Sequence, residues 1–262
     1  MVSPARARSA PALGALGIAL ARRGPLAIAS IAIGVLTTFA MIVGAFVLAA
    51  RGGRSLAQLP GVTASALAWG AGVMLAFAAS TRALRRDKDD GVRALVRARG
   101  GSTPAYVGGR IAGLVVLVAI VVAGGTLIAG VASTALASSG NVARVAKGAG
   151  AAVVYALAFS ATIAPVALAA LGARSRIGGY FALVSVLVLP ELFGRWTAQM
   201  LPRGWHELTS IPAVLGALRA ALTPGTFDVA TLLRASVVLA AIAAVATVIV
   251  RTQVARVDAE AS

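Results

Sequence analysis

The chain has no cysteine and a single histidine, His206, and only 8 of its 262 residues are acidic. Without a thiol it cannot form a disulfide, a thiolate metal site or a cysteine nucleophile. A metal site needs several ligands. We therefore interpret His206, which lies between Trp205 and Glu207, as an interfacial polar residue rather than a ligand or an acid–base group. The sequence predicts no metal, no cofactor and no catalytic residue in this chain.

Two motifs that accompany enzymatic activity are also missing. The sequence contains no GxxxxGK[ST] phosphate loop, so the chain cannot bind and hydrolyse ATP by that route. It contains no GxSxG nucleophile elbow either. We therefore expect a protein that is not an enzyme.

Apolar residues are what the chain has in abundance. They make up 59% of the sequence, only 12% of the residues are charged, and the mean hydropathy is +0.92. In a typical soluble domain about one quarter of the residues are charged, so this composition indicates an integral membrane protein. The net charge of +16 does not indicate nucleic-acid binding, because the basic residues sit at the ends of apolar runs. Such residues contact lipid headgroups and fix the orientation of the protein in the bilayer.

Six apolar runs are near the length of about 20 residues that crosses a bilayer as a helix. The fifth run carries Glu191 near its end. That carboxylate either marks a substrate or proton path or sits where water reaches the outer end of the span. The predicted fold is an all-α integral membrane protein with six spans, at residues 25–50, 61–81, 111–137, 148–173, 177–194 and 229–250.

Two further segments flank these spans. Residues 9–23 carry regularly spaced leucines and end in a basic pair, which favours an interfacial helix over a frayed tail. Residues 195–228 are rich in tryptophan and proline, and their apolar stretch Ile211–Leu222 is too short to span. We predict that 195–228 forms broken or re-entrant outer helices. Two of every three Lys and Arg residues lie on the side of the N-terminus, which predicts that both termini are cytoplasmic.

A dense patch of charge between Arg82 and Arg110 interrupts the apolar sequence. We predict one short amphipathic helix at 87–99, because its aspartates come first and its arginines last, an order that suits the helix dipole. Asp89 and Arg93 are four residues apart and are expected to pair along it. Valines and a leucine at helical spacing supply an apolar face. The predicted docking residues are Asp87, Asp89, Asp90, Gly91, Val92, Arg93, Leu95, Val96, Arg97 and Arg99.

The sequence after this helix predicts where it ends. Gly100 and Gly101 are expected to stop it, and Thr103 before Pro104 is expected to cap the next helix. An ordinary solvated loop that only fixes topology is the alternative. The ordered charges, the apolar face and the defined caps favour a surface helix on which a soluble partner docks.

The charged patch resembles the signature of ABC-2-type transporter permeases. The resemblance lies in the run Asp87-Lys88-Asp89-Asp90-Gly91, followed at similar spacing by Leu95, Ser102, Tyr106, Gly109 and Arg110. The chain departs from the family at Gly100, where a proline is usual. Six spans, a flat N-terminal helix and a broken outer segment before the last span are also similar.

This resemblance implies the permease subunit of an ATP-driven exporter in the bacterial cytoplasmic membrane. A cytoplasmic ABC ATPase subunit would dock on the coupling helix at 87–99 and supply the ATP site, and a second permease, identical or not, would complete the pair. Trp69 and the stretch 174–190 are similar to the haem-exporter B branch, linked to cytochrome c maturation. A secondary transporter and a non-transporting membrane assembly factor are the alternatives from other classes. The substrate is not indicated.

Overall fold

The computed structural model of the protein describes residues 4–52, 55–173, 176–202, 205, 208–223 and 227–259. All of the regular secondary structure in these ranges is helical. Two of the long helices contain one π-helical turn each, at Ala68–Gly72 and Ile120–Gly124. The helices are α1 (Pro4–Ala21), α2 (Pro25–Ala50), α3 (59–80), α4 (Ala83–Asp89), α5 (Val92–Ala98), α6 (Thr103–Ala135), α7 (Val142–Leu171), α8 (Arg176–Leu187), α9 (Leu189–Leu192), α10 (Gly194–Met200), α11 (Ile211–Leu222) and α12 (Val229–Ala259).

Five helices in the described part of the chain are long and apolar enough to cross a membrane, namely α2, α3 with α4, α6, α7 and α12. Only 11% of the apolar 18-residue stretch of α2 is buried within the chain, and only 22% of the corresponding stretch of α12. Apolar faces this bare need lipid or another protein against them. The chain is therefore an α-helical, multi-pass membrane protein.

The predicted fifth span, 177–194, is not one continuous helix. It is divided into α8 and α9, with Val188 between them and Pro190 in the first turn of α9. The break has a direct cause, because Pro190 has no amide hydrogen to donate to the carbonyl four residues earlier. The apolar stretch is therefore shorter than the other candidate spans.

Helix α7 is the centre of the bundle. It packs against α3, α6, α8, α11 and α12, and 67% of its apolar 18-residue stretch is buried. Phe159 of this helix is fully buried and meets Trp69 edge to face, with 5.5 Å between the ring centroids. Gly72 makes room for this ring, since a Cβ there would lie 2.9 Å from Phe159. The two π-helical turns of α3 and α6 face each other beside it.

Helices α1 and α6 approach with their backbones in contact. Gly17 of α1 faces Gly109 and Gly113 of α6, and a Cβ on Gly109 would lie 2.8 Å from that of Leu13. Small residues four apart allow helices in a bilayer to approach this closely. Most of the segment 9–23 is helical, with the helix ending at Ala21, and its leucine face packs on α6. Its interfacial location stays a prediction.

The two ends of the bundle carry different elements. At one end, α4 is fixed to the C-terminus of α7, because the Arg82 amide donates to Leu171 O at 3.0 Å. Helix α12 continues to Ala259 and reaches this end, whereas the sequence predicted its span to stop at 250. We call this end of the bundle, where α4 meets the C-terminus of α7, the charged end. At the opposite end, Ile211–Leu222 forms α11, with the bounds predicted for that apolar stretch, and lies against the N-terminal part of α3.

Candidate functional site

The predicted docking helix at 87–99 is broken. It consists of the end of α4, a turn at Asp90 and Gly91, and α5. Gly91 has φ 70°, a left-handed conformation that costs a residue with a Cβ energy, so it ends α4 as a C-terminal glycine commonly does. Asp87 and Asp89 therefore lie at the end of one helix, not at the start of another. The prediction of one helix with its acids at the N-terminus was wrong.

Asp87 is the buried centre of the site. It is 1% exposed, accepts a hydrogen bond from the Tyr106 hydroxyl at 2.7 Å, and has Arg110 Nε 3.0 Å from the same oxygen. Arg110 is also buried and donates to Gly17 O at 3.4 Å. These contacts join α4 to α6 and α1. Removing one partner of a buried ion pair typically costs about 3–5 kcal/mol, because the other charge is left without compensation.

Arg93 makes the second buried linkage, and its partner is on α12. Its side chain is 6% exposed, donates to the Asp258 carboxylate and to Val254 O at 3.0 Å, and lies 5.9 Å from the centre of the Tyr106 ring. Arg97 donates to the other oxygen of Asp258 at 2.6 Å. The expected pairing of Arg93 with Asp89 was wrong, because the break at Gly91 places these two residues in different helices.

We call Asp87, Arg93, Tyr106, Arg110 and Asp258 the polar cluster. Lys88 adds a further link to α12 by donating to Val257 O at 2.7 Å. The cluster holds α4 to α6 through Asp87 and Arg110, and it holds α5 to α12 through Arg93 and Asp258. Moving α5 away from α12 would therefore break an ionic contact with a buried arginine.

The exposed side of the segment is different in character. Leu95 is 51% exposed, although Val96 of the same helix is buried and Val92 is partly buried. The three apolar residues therefore do not share one buried face as predicted. The exposed members of the predicted site are Asp89, Asp90, Gly91, Leu95, Arg97 and Arg99. Leu95 is thus the one large apolar side chain of α5 that is left exposed.

The residues that end α5 were predicted in part. Gly100 has φ 73° and follows the helix, as expected. The cap of α6 is Ser102 and not Thr103, because the Ser102 hydroxyl accepts from the Ala105 amide at 3.4 Å. The turn is compact, since Gly101 lies against Val96.

Glu191, the possible substrate-path residue, is not part of this site. It is exposed and accepts a hydrogen bond from Ser210, the residue that caps α11 at the opposite end of the bundle. Its contact joins α9 to α11, and a role in a substrate path stays a prediction. His206 lies outside the described residues.

Asp258 and the extension of α12 beyond residue 250 were missed by the sequence reasoning. A signal was present, because Val250, Val254 and Val257 continue the helical spacing of the last span beyond residue 250 and all three are buried. The partner of Asp258, however, lies 165 residues away along the chain. No local pattern reports such a contact.

Comparisons with protein families, curated proteins and solved structures found no match. Among the described residues, no group of three or more His, Asp or Glu side chains is placed to hold a metal ion.

Proposed function

We propose that the chain is the membrane-spanning permease subunit of an ATP-driven exporter of the ABC-2 type, and that α4 and α5 receive a cytoplasmic ABC ATPase. The observation that carries this proposal is the two-sided character of α5. Leu95 is open to a partner on one side, and Arg93 is buried and ion-paired on the other. A segment that served only to fix topology would not need the buried linkage.

The polar cluster supplies a path for the force. When ATP-bound ATPase subunits close, they would push α5 as a rigid body. Arg93 and Asp258 would carry the motion to α12, and Asp87 with Arg110 would carry it to α6 and α1. Because the helices are close-packed, such a shift moves whole elements instead of dissipating locally.

The proposal includes six membrane crossings with both termini in the cytoplasm. The short fifth crossing is supported because its two ends lie at opposite ends of the bundle. Near its start, a Cβ on Gly179 of α8 would lie 2.8 Å from Leu171 at the charged end. Near its finish, Glu191 contacts the cap of α11 at the opposite end. The interfacial location of α1 and the outer location of 195–228 belong to the same proposal.

A second permease copy, identical or not, would cover part of the bare surface of α2. Large side chains such as Leu36, Phe39 and Phe46 are more than half exposed on this helix. Lipid would cover the rest. The substrate would pass between the two bundles.

Affinity capture tests the docking surface. The detergent-solubilised protein is captured from its native host, and the bound subunits are identified by mass spectrometry. We expect an ABC ATPase with the wild-type chain and at least about tenfold less of it with Leu95→Asp, since a charge at the centre of an apolar contact is among the most costly changes to an interface. Leu95→Met is the matched control and should retain the ATPase.

Two results would contradict the proposal. Equal recovery of the ATPase with Leu95→Asp would place its docking site elsewhere. Purification of an active chain without any ATPase would favour a secondary transporter or an assembly factor, and retained haem would favour the haem-exporter B-like alternative.

A further inference from the structure

A pocket lies at the end of the bundle opposite the charged end. It has a volume of about 190 Å³ between α3, α7 and α11, and its lining is mainly glycine, alanine and valine, with polar side chains from Gln58, Tyr155, Arg219 and Thr223. A larger groove of about 360 Å³ between α7, α8 and α12 is lined only by alanine, valine and isoleucine. The smaller pocket therefore differs from this groove by its polar side chains.

We propose that this pocket binds an anionic oxygen group, a carboxylate or a phosphate, through Arg219. The inference concerns the opposite end of the molecule and does not rest on the docking of an ATPase. Arg219 donates from Nη1 to the Ser65 hydroxyl at 2.5 Å. Within the described ranges, no carboxylate lies within ion-pair distance of it. A guanidinium has five N–H donors in a planar fork, so Arg219 retains donors for a carboxylate or a phosphate.

The residues behind Arg219 hold it in place. Tyr155 lines the same pocket, and its hydroxyl accepts a hydrogen bond from the Trp69 indole at 3.1 Å. Tyr155 is 3% exposed and belongs to the central helix α7. Ser65 thus anchors the guanidinium, and Trp69 anchors the tyrosine beside it. An arginine fixed in this way loses less side-chain entropy when it binds a ligand than a free surface arginine does.

The space and the charge around Arg219 suit an anion. Gly61 leaves room beside the guanidinium, because a Cβ there would lie 3.3 Å from Arg219 Nη2. Arg144 stands on the same face of α7 as the lining residues Gly148 and Tyr155, at helical spacing. Several positive charges near a concave site raise the local concentration of anions.

The fluorescence of Trp69 can report ligand binding in the pocket, because its indole donates a hydrogen bond to the lining residue Tyr155. Replacing Trp196 and Trp205 by phenylalanine leaves Trp69 as the only tryptophan of the chain. The protein in neutral detergent is titrated with potassium phosphate or acetate against chloride at equal ionic strength. A parallel titration adds phosphatidic acid to nanodiscs of zwitterionic lipid. We expect a saturable change in Trp69 fluorescence in at least one titration, and the responding titration identifies the source of the anion.

Variants at Arg219 decide whether the response belongs to this pocket. Arg219→Gln should weaken binding at least about tenfold, and Arg219→Lys should weaken it less, because lysine keeps the charge but not the fork. Arg251→Gln, at the charged end, is the matched control and should leave the curve unchanged. Calorimetric titration of the full wild-type chain with the same ions checks the result without the tryptophan replacements. The proposal is overturned if neither anion source gives saturable binding, or if folded Arg219→Gln binds as the wild type does.

Discussion

The two ends of the bundle use arginine in opposite ways. At the charged end, Arg93 and Arg110 are buried and each is paired with an aspartate from another helix. At the opposite end, Arg219 is exposed and bonded to a hydroxyl, and the described residues provide it with no carboxylate within ion-pair distance. A buried pair fixes the relative position of two helices, because breaking it leaves a charge without compensation. An exposed arginine without such a partner keeps its donors for a ligand. The first arrangement suits transmission of force, and the second suits binding.

The largest expected effect comes from breaking the most buried pair. Asp87→Asn leaves the Arg110 guanidinium buried without an anion and should lower the free energy of unfolding by about 3–5 kcal/mol. The exposed Asp89→Asn, two residues away on the same helix, is the control and should change it by less than about 0.5 kcal/mol. Denaturation of the purified protein in detergent measures both. Similar stabilities for the two variants would mean that the Asp87 pair does not hold α4 to α6.

A smaller effect is expected at the linkage to α12. Asp258 is about one quarter exposed, so water partly compensates Arg93 when the carboxylate is lost. We expect Asp258→Asn to cost about 1–3 kcal/mol, between the values for an unpaired buried group and a surface pair. In the proposed complex with an ABC ATPase, transport-coupled ATP hydrolysis should fall more than the amount of folded protein.

The control for this second experiment is Asp228→Asn, at the other end of the same helix, where the aspartate caps α12. Its coupled activity should stay near that of the wild type. Full coupling in folded Asp258→Asn would show that α12 does not receive motion from α5.

The smallest expected effect is at the turn between α4 and α5. Gly91→Ala introduces a Cβ into a left-handed residue and should cost about 1–2 kcal/mol. Gly91→Asn should cost less, because asparagine tolerates this conformation better than other residues. Thermal unfolding of the two variants in parallel measures the difference. The opposite order, with alanine more stable than asparagine, would argue for the continuous helix at 87–99.

The sequence predicted what depends on local pattern. The bounds of α2 and α11 agree with the apolar runs at 25–50 and 211–222, since composition changes sharply at their ends. The break at Gly91 was missed because ordered charges suggested one dipole, although glycine was the residue most able to end it. The partnership of Arg93 and Asp258 could not be predicted, because it depends on how α12 packs against α5 in three dimensions.

The pocket around Arg219 shows the same limit. Arg219 lies in the segment 195–228, for which the sequence predicts broken or re-entrant outer helices. Its contact with Ser65 bridges 154 residues of sequence, and the tyrosine behind it lies in a third helix. Only the packing of α3, α7 and α11 brings these groups together.

The side of the membrane on which α5 lies tests the account most directly. Because the chain has no cysteine, Ala94→Cys introduces a single thiol at an exposed position of α5. A maleimide that cannot cross the bilayer should label it in inverted vesicles and not in intact cells, whereas Arg144→Cys at the opposite end should show the reverse. Labelling of the Ala94→Cys thiol in intact cells would put the charged end outside the cell, where no ATP-driven partner could reach it.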